Sequence, residues 1–495
     1  MGMETEFERV VPGEWRRRTE FADLRVHMIG IGGTGMCGLA AVLLELGARL
    51  SGSDRTAFAD MGRLVEGGAR IEIGHRADLL DPLTDLVVYS AAIPPDNPEL
   101  ASARRRGIRA AKYAVVLGMV TRRRATMAVA GTHGKSTTSA MCAHILRVAG
   151  LDPSFVFGAS SKQLGGNGAL GTGRSFVVEA CEYDRSFHQF TPSSAAILNI
   201  ELDHVDCFPT VDDLLTAFAE FAKRVTPGGL IVCNDADDWA VKAARTGEAE
   251  LQTFGFEESA DWRASHLTAD LGRYGFDVTF RDQPILATRL SIPGLHNVSN
   301  ALAAIALTHD AGADAESIAE AVRTFEGVGR RLVYRGIFDG ITVLDDYAHH
   351  PTEIRVTIQA ARDHYGPKRM WVVFQPHQVS RMKAFLQEFA VALTSADQVV
   401  VPDVYGARDV VGADANAVEA DRGTGEADSC ETGSPAELVS RIRAAGGSAA
   451  YVPSLHAVTE HVATRVNQGD LVLVMGAGDV WKVADGLVER FCESN

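Results

Sequence analysis

From residue 24 onward the chain alternates short apolar runs with stretches whose apolar positions recur at helical spacing. Residues 26–31 read as a buried strand, 35–46 as a helix and 49–53 as a second strand, which is the βαβ grammar of a parallel sheet. A further strand at 85–89 ends in the turn Pro94-Pro95-Asp96-Asn97-Pro98, and this unit runs out near Arg122, Arg123 and Arg124. A second unit starts with a short strand at 127–130, a glycine-rich loop at 131–134 and a helix at 136–149, followed by strands at 176–180, 195–200 and 230–233. Between 254 and 290 the apolar positions alternate, as in Phe276, Val278 and Phe280, which predicts a small antiparallel addition. A helix at 297–310 and the segment 317–325 close this block. A third α/β layer structure begins near Arg330, with strands at 341–344, 370–374, 398–401, 449–452 and 471–475. The stretch from 408 to 433 is rich in Asp, Glu, Gly and Ala without periodicity, which reads as a long mobile loop.

The 495 residues agree with several domains rather than one, since a domain takes roughly 100–200 residues. The expected boundaries are 20–123, 124–328 and 329–495. Hydrophobic residues make up 46 % and charged residues 23 %, enough apolar surface for most of the chain to fold. The formal charge of −16 repels nucleic acid and anionic lipid, so neither is an expected partner and any polyanion needs a local basic pocket. Seven scattered cysteines without a C-x-x-C pair suit a reducing, cytoplasmic setting. No run of about 18 apolar residues predicts a membrane span, and the acidic and basic N-terminus does not read as a signal peptide.

Two loops carry chemistry. Gly30-Ile31-Gly32-Gly33-Thr34-Gly35 lies between a strand and a helix, with Asp54 at the end of the next strand. In a Rossmann unit such glycines let backbone N–H groups approach a diphosphate at the helix N-terminus, and the acid can hold a ribose hydroxyl. The spacing fits NAD and other nucleotide diphosphates alike, and a tight turn that only packs strand on helix is the plain alternative. The second loop, Gly131-Thr132-His133-Gly134-Lys135-Ser136-Thr137, resembles a P-loop, although Val129 stands where the first glycine of that pattern belongs. There, backbone N–H groups cradle phosphates, the lysine reaches the β/γ oxygens and the following hydroxyl binds Mg²⁺. Two nucleotide-type loops in successive blocks argue against a plain dehydrogenase.

These loops, taken with further blocks in order, resemble the Mur ligase family. The blocks are Glu179-Ala180-Cys181-Glu182-Tyr183-Asp184, Asn199-Ile200-Glu201-Leu202-Asp203-His204, His296-Asn297-Val298, Gly329-Arg330-Arg331, Asp345-Asp346-Tyr347-Ala348-His349-His350-Pro351, Phe374-Gln375-Pro376-His377 and Met475-Gly476-Ala477-Gly478-Asp479. The resemblance implies an α/β chain of three domains: an N-terminal Rossmann-like domain for a UDP-sugar, a central P-loop ATPase domain with a parallel sheet, and a C-terminal Rossmann-like domain. It implies ATP-dependent amide ligation in peptidoglycan synthesis, and with it cell-wall biogenesis, cell shape and cell division. In such a reaction the γ-phosphoryl of ATP passes to the lactoyl carboxylate of UDP-N-acetylmuramate, and the amine of L-alanine attacks the acyl phosphate. A ligase that attaches a recycled peptide to the same sugar nucleotide is the alternative within the family. A nucleotide-binding protein without catalysis is the alternative outside it.

By the same resemblance Lys135 would bind the β/γ-phosphates, Ser136 and Glu179 would ligate Mg²⁺, and His204 would bind a second Mg²⁺. Asn297, with His296, would hold adenine, Arg330 would reach the phosphates, and Asp345 or Asp346 would take the ATP ribose. His349 and Arg381 would line the closed site from the third domain. Gly32, Gly33, Thr34 and Ser90 would bind the UDP part, with Asp54 beside them. Two positions depart from the family pattern: Lys112 stands where an arginine is usual, and Gln378-Val379 stand where a basic-aromatic pair is common. Lysine cannot make the bidentate contact of an arginine.

Overall fold

The computed structural model describes residues 20–406 and 433–493. The acidic stretch expected as a loop therefore lies outside the described residues, apart from Gly433.

Three sheets are laid down in chain order. The first has five parallel strands in the order Arg70–Ile73, Arg49–Asp54, Arg25–Ile29, Leu86–Tyr89, Arg109–Lys112. The order reverses at Arg25–Ile29, and the glycine loop leaves the carboxyl end of that strand, where open α/β sheets bind ligands. Helix Thr34–Glu45 follows the loop, and the run Met36 to Leu43 is buried on all sides, which explains why its apolar positions are nearly continuous.

The second sheet has ten strands. Its parallel centre pairs Ala125–Ala130 with Ser194–Ile197 on one side and Ser175–Glu179 on the other. Both neighbours outrun the P-loop strand: Leu198 N donates to Ala130 O at 2.9 Å and Ala180 N to Val129 O at 2.9 Å. The loop at 131–134 and the residues after both neighbouring strands thus meet at one sheet end. The antiparallel addition read from 254–290 is present as Trp262–Asp270, Arg273–Phe280 and Gln283–Arg289, continuing the sheet from Glu250–Gly255. At the opposite edge, Ser154–Ser161 and Gly166–Ala169 form a hairpin that the sequence pattern did not reveal, because its Gly- and Ser-rich residues carry little β signal.

The third sheet has six strands, parallel except for the edge strand Val333–Phe338 against Ile341–Asp346. Asp345 and Asp346 end a central strand and Gly476 follows its neighbour Asp470–Met475, so the second and third sheets each bring polar residues to a carboxyl edge. No described helix is long and apolar enough to cross a membrane.

Candidate functional site

The P-loop is built by steric necessity at two glycines. Gly131 has φ +143° and Gly134 φ +84°, and a Cβ at Gly131 would sit 2.9 Å from Leu198 Cβ. A Cβ at Gly134 would overlap the amide oxygen of Asn300. The loop is locked from the next strand: Thr132 N donates to Asn199 O at 3.0 Å, His133 N to Asn199 Oδ1 at 2.7 Å, and Glu201 N to Thr132 Oγ1 at 2.9 Å.

Helix Lys135–Val148 starts at this loop, and the first amides of a helix have no intrahelical partner, which makes its start an anion site. The ammonium of Lys135 lies across the loop, donating to Gly131 O at 2.5 Å, Thr132 O at 2.9 Å and Glu182 Oε2 at 2.9 Å. Burial works against its charge, but Glu182 outweighs burial and raises its pKa, so Lys135 stays a cation. Beside it, Ser136 Oγ donates to Glu179 Oε2 at 2.8 Å, and the same oxygen accepts from Gly158 N at 2.6 Å. A hydroxyl and a carboxylate in contact at a phosphate-type loop are hard oxygen donors of the kind Mg²⁺ takes. His204 has φ +52° and lies with Nε2 3.7 Å from Glu182 Oε1. Its Nδ1 is buried with no hydrogen-bond partner, and burial holds its pKa below the ordinary value, so it offers a neutral lone pair. Lys135, Glu182 and His204 form one cluster with Ser136 and Glu179 alongside.

A cavity of about 730 Å³ opens from the loop toward the third sheet. Of the residues placed in the two loops or given a role from the sequence, His133, Gly134, Ser136, Thr137, His296, Asn297 and Asp346 line it. Asn297 has both amide groups engaged, donating to Pro293 O at 2.7 Å and accepting from Asn300 Nδ2 at 3.0 Å. His296 is held to about 4 by burial and by Arg331, and is neutral. Asp346 accepts from Leu332 N at 2.6 Å and Ala348 N at 2.7 Å, yet burial raises its pKa to about 6.

The neighbouring arginines divide their work. Arg330 turns away from the cavity lining, donating to Gly476 O at 2.6 Å and Gly478 O at 3.2 Å, with Nε 3.5 Å from Asp345. Arg331, quoted in the same block without a role, lines the cavity and donates to Glu353 Oε1 at 3.3 Å. Asp345 sits with Arg330 outside the cavity, its pKa raised by burial. His349 is neutral, held to about 4 by burial, its Nδ1 2.9 Å from Tyr347 O and 3.2 Å from Glu353. The N-cap of helix Pro351–Tyr365 is His350, since Thr352 N donates to His350 Nδ1 at 3.3 Å.

The third sheet is docked on the loop. His133 Nε2 is 3.0 Å from Glu201 and its Nδ1 3.4 Å from Glu353. Thr352 Oγ1 donates to Glu201 Oε1 at 2.8 Å, and Arg381 donates to Asp203 Oδ1 at 2.9 and 2.6 Å in a buried ion pair. Burial opposes the charge on Asp203, but the Arg381 guanidinium holds its carboxyl far below the usual range. Sequence reasoning gave no role to Glu182, Glu201, Asp203, Asn300, Arg331 or Glu353. Four of these lie inside quoted blocks, whereas Asn300 and Glu353 lie one helical turn past Asn297 and His349, which is the spacing that could have found them.

The first sheet's glycine loop lies apart from this cavity. Gly33 has an extended backbone and precedes Thr34, the first residue of its helix. Gly32 N donates to Asp54 Oδ2 at 2.8 Å and Thr56 N to Asp54 Oδ1 at 3.4 Å, so the carboxylate expected at a ribose braces the loop. Ser90 packs at Gly30, and its Oγ accepts from Ala92 N at 3.3 Å. Lys112 pairs with Asp184 at 2.6 Å, joining the first sheet to the second. Gln378 is buried with φ +68° and caps helix Val379–Ala384.

Comparisons with known proteins cover most of the chain. Three family descriptions match in succession: "Mur ligase family, catalytic domain" at 25–125, "Mur ligase middle domain" at 129–308 and "Mur ligase, glutamate ligase domain" at 329–478. The chain is 39 % identical over 473 residues to a UDP-N-acetylmuramate--L-alanine ligase of Caldanaerobacter subterraneus, covering 95 % of this chain and 98 % of that protein. It is 38 % identical over 463 residues to the protein of that name from Acetivibrio thermocellus, covering 93 % and 94 %. Among solved structures, the UDP-N-acetylmuramate-alanine ligase of Thermotoga maritima superposes with a TM-score of 0.79 at 28 % identity, over 95 % of this chain and 100 % of that one. A murein peptide ligase from Psychrobacter arcticus gives 0.71 at 26 %, over 94 % and 98 %. With loop, cavity and all three matched regions in family order, the chain belongs to the Mur ligase family.

Proposed function

We propose that the chain is an ATP-dependent ligase that joins L-alanine to the lactoyl carboxylate of UDP-N-acetylmuramate, in peptidoglycan precursor synthesis in the cytoplasm. The observation that carries this reading is the loop at 131–136, where a lysine cation and a hydroxyl–carboxylate pair meet at a helix start that opens into a cavity closed by the third sheet. The names of the relatives reported above support it.

In this reading the amides of the loop and the helix start hold the phosphates, with Lys135 as countercharge. Ser136 and Glu179 would hold Mg²⁺, with His204 at a second ion, and bound Mg²⁺ supplies charge neutralisation at the phosphate oxygens. Gly32, Gly33 and Thr34 would present the sugar nucleotide. A carboxylate oxygen attacks the γ-phosphorus, the bond to the β-bridging oxygen breaks, and ADP leaves. The amine nitrogen of L-alanine then attacks the acyl carbon, phosphate leaves, and the surplus proton passes to a base. Docking of the third sheet over the loop keeps water from the acyl phosphate.

Release of phosphate should require both UDP-N-acetylmuramate and L-alanine, and release without the sugar nucleotide overturns the reading. Offering a tripeptide in place of L-alanine separates the two ligase types, because only a peptide-recycling enzyme turns it over.

A further inference from the structure

Beneath the first glycine loop lies a buried polar cluster that the reaction described above does not use. Glu99, fully buried near the start of helix Pro98–Arg105, accepts from Ser53 Oγ at 2.9 and 2.8 Å. Its oxygens also meet His27 Nε2 at 2.6 Å and His75 Nδ1 at 2.9 Å, and His27 Nδ1 lies 2.8 Å from Ser51 Oγ. Burial disfavours the charged carboxylate, but the hydrogen bonds from His27, Ser53 and His75 hold its pKa below the ordinary value. A charge is costly to bury without a return, and here three side chains, Ser53, His27 and His75, converge on one carboxylate.

That serine reaches the loop. Ser53 O accepts from Gly30 N at 2.9 Å and from Ile31 N at 3.1 Å. The next residue, Asp54, accepts from Gly32 N. Three successive amides of the loop are thereby committed inward, and those at the start of helix Thr34–Glu45 are the ones left for an anion. The geometry points to Glu99 as a positioning residue for the sugar nucleotide: through Ser53 it fixes the glycine loop in the shape that presents the helix amides to a diphosphate. The inference rests on the proposed role of this loop.

The test is Glu99→Gln and Ser53→Ala in the full chain, with binding of UDP-N-acetylmuramate measured by calorimetry alongside KM and kcat for each substrate. Loss of a hydrogen bond to a charged group predicts affinity for the sugar nucleotide weaker by about tenfold or more. The KM for ATP and for L-alanine should stay within about twofold, because their sites lie outside the first sheet. Faster amide exchange at Gly30 and Ile31 should accompany the loss. A merely structural role would instead lower kcat through the folded fraction and leave every KM in place, which overturns the inference, as does unchanged sugar-nucleotide affinity. If both variants fail to fold, His75→Gln at the partly exposed end of the cluster decides: weaker binding upholds the inference and equal binding overturns it. Failure of the unsubstituted chain to bind UDP-N-acetylmuramate overturns the proposed function instead.

Discussion

Lys135 is held by three oxygen acceptors from the loop and from Glu182, so its charge sits at the lip of the helix start whatever else enters. Lys135→Ala should lower turnover by about 100-fold or more, the scale of losing one charged contact to a transition state. Binding of UDP-N-acetylmuramate, measured by calorimetry, should stay within about twofold because the first glycine loop is elsewhere; equal loss of both would place the two ligands in one site. Arg381 poses the opposite problem. It neutralises Asp203 where both are buried, and Arg381→Ala leaves that carboxylate uncompensated, which costs about 3–5 kcal/mol. Denaturant unfolding of the variant should show that loss, and Asp203→Asn combined with it should recover part of the stability.

Elements meet in this chain through small residues as well as through charge. Helix Thr34–Glu45 lies on strand Gly166–Ala169 so closely that a Cβ on Gly168 would overlap the backbone of Gly38, and Asn167 Nδ2 donates to Thr34 O across the same contact. Gly168→Ala should therefore destabilise by about 1–3 kcal/mol, the cost of overpacking. Gly62→Ala, with nothing near its Cβ on helix Met61–Glu66, should be neutral or stabilising by up to about 1 kcal/mol. Chemical denaturation of the two variants distinguishes a packed contact from a permissive one. This contact was not legible in the sequence, since a glycine in an apolar helix and a glycine in a weak strand say nothing of each other. The strands of the parallel centres were legible, because residues buried on both faces must be apolar without interruption.

At the scale of the molecule, the second and third sheets are clamped by His133, whose ring lies between Glu201 and Glu353. Burial opposes the cation, but the hydrogen bonds to Glu201 and Glu353 outweigh it and raise His133 to about 9 from its ordinary 6.5. A raised histidine stabilises fully below pH 6.5, and its contribution is lost as pH rises through about 9. The stability difference between the unsubstituted chain and His133→Gln should thus be large near pH 6 and shrink above about pH 9 in urea titrations. A difference that widens with pH would mean a neutral ring in the clamp.

What the sequence determined by itself was local: strands that need continuous apolar runs, loops that need glycine at set points, and the residue types of phosphate chemistry in family order. Gly131, Lys135 and Ser136 carry their chemistry in their identity and spacing, and Glu179 followed from the family resemblance of its block, so all four could be named before any fold was in view. Only the tertiary structure decided that Arg331 rather than Arg330 lines the cavity, that Asp54 braces a loop, and that Glu182, Glu353 and Asp203 hold the cations. The reason is physical: a backbone turn is specified by neighbours in the chain, whereas the partner of a charge is set by which elements converge on it, and Asp203 finds Arg381 from far along the chain.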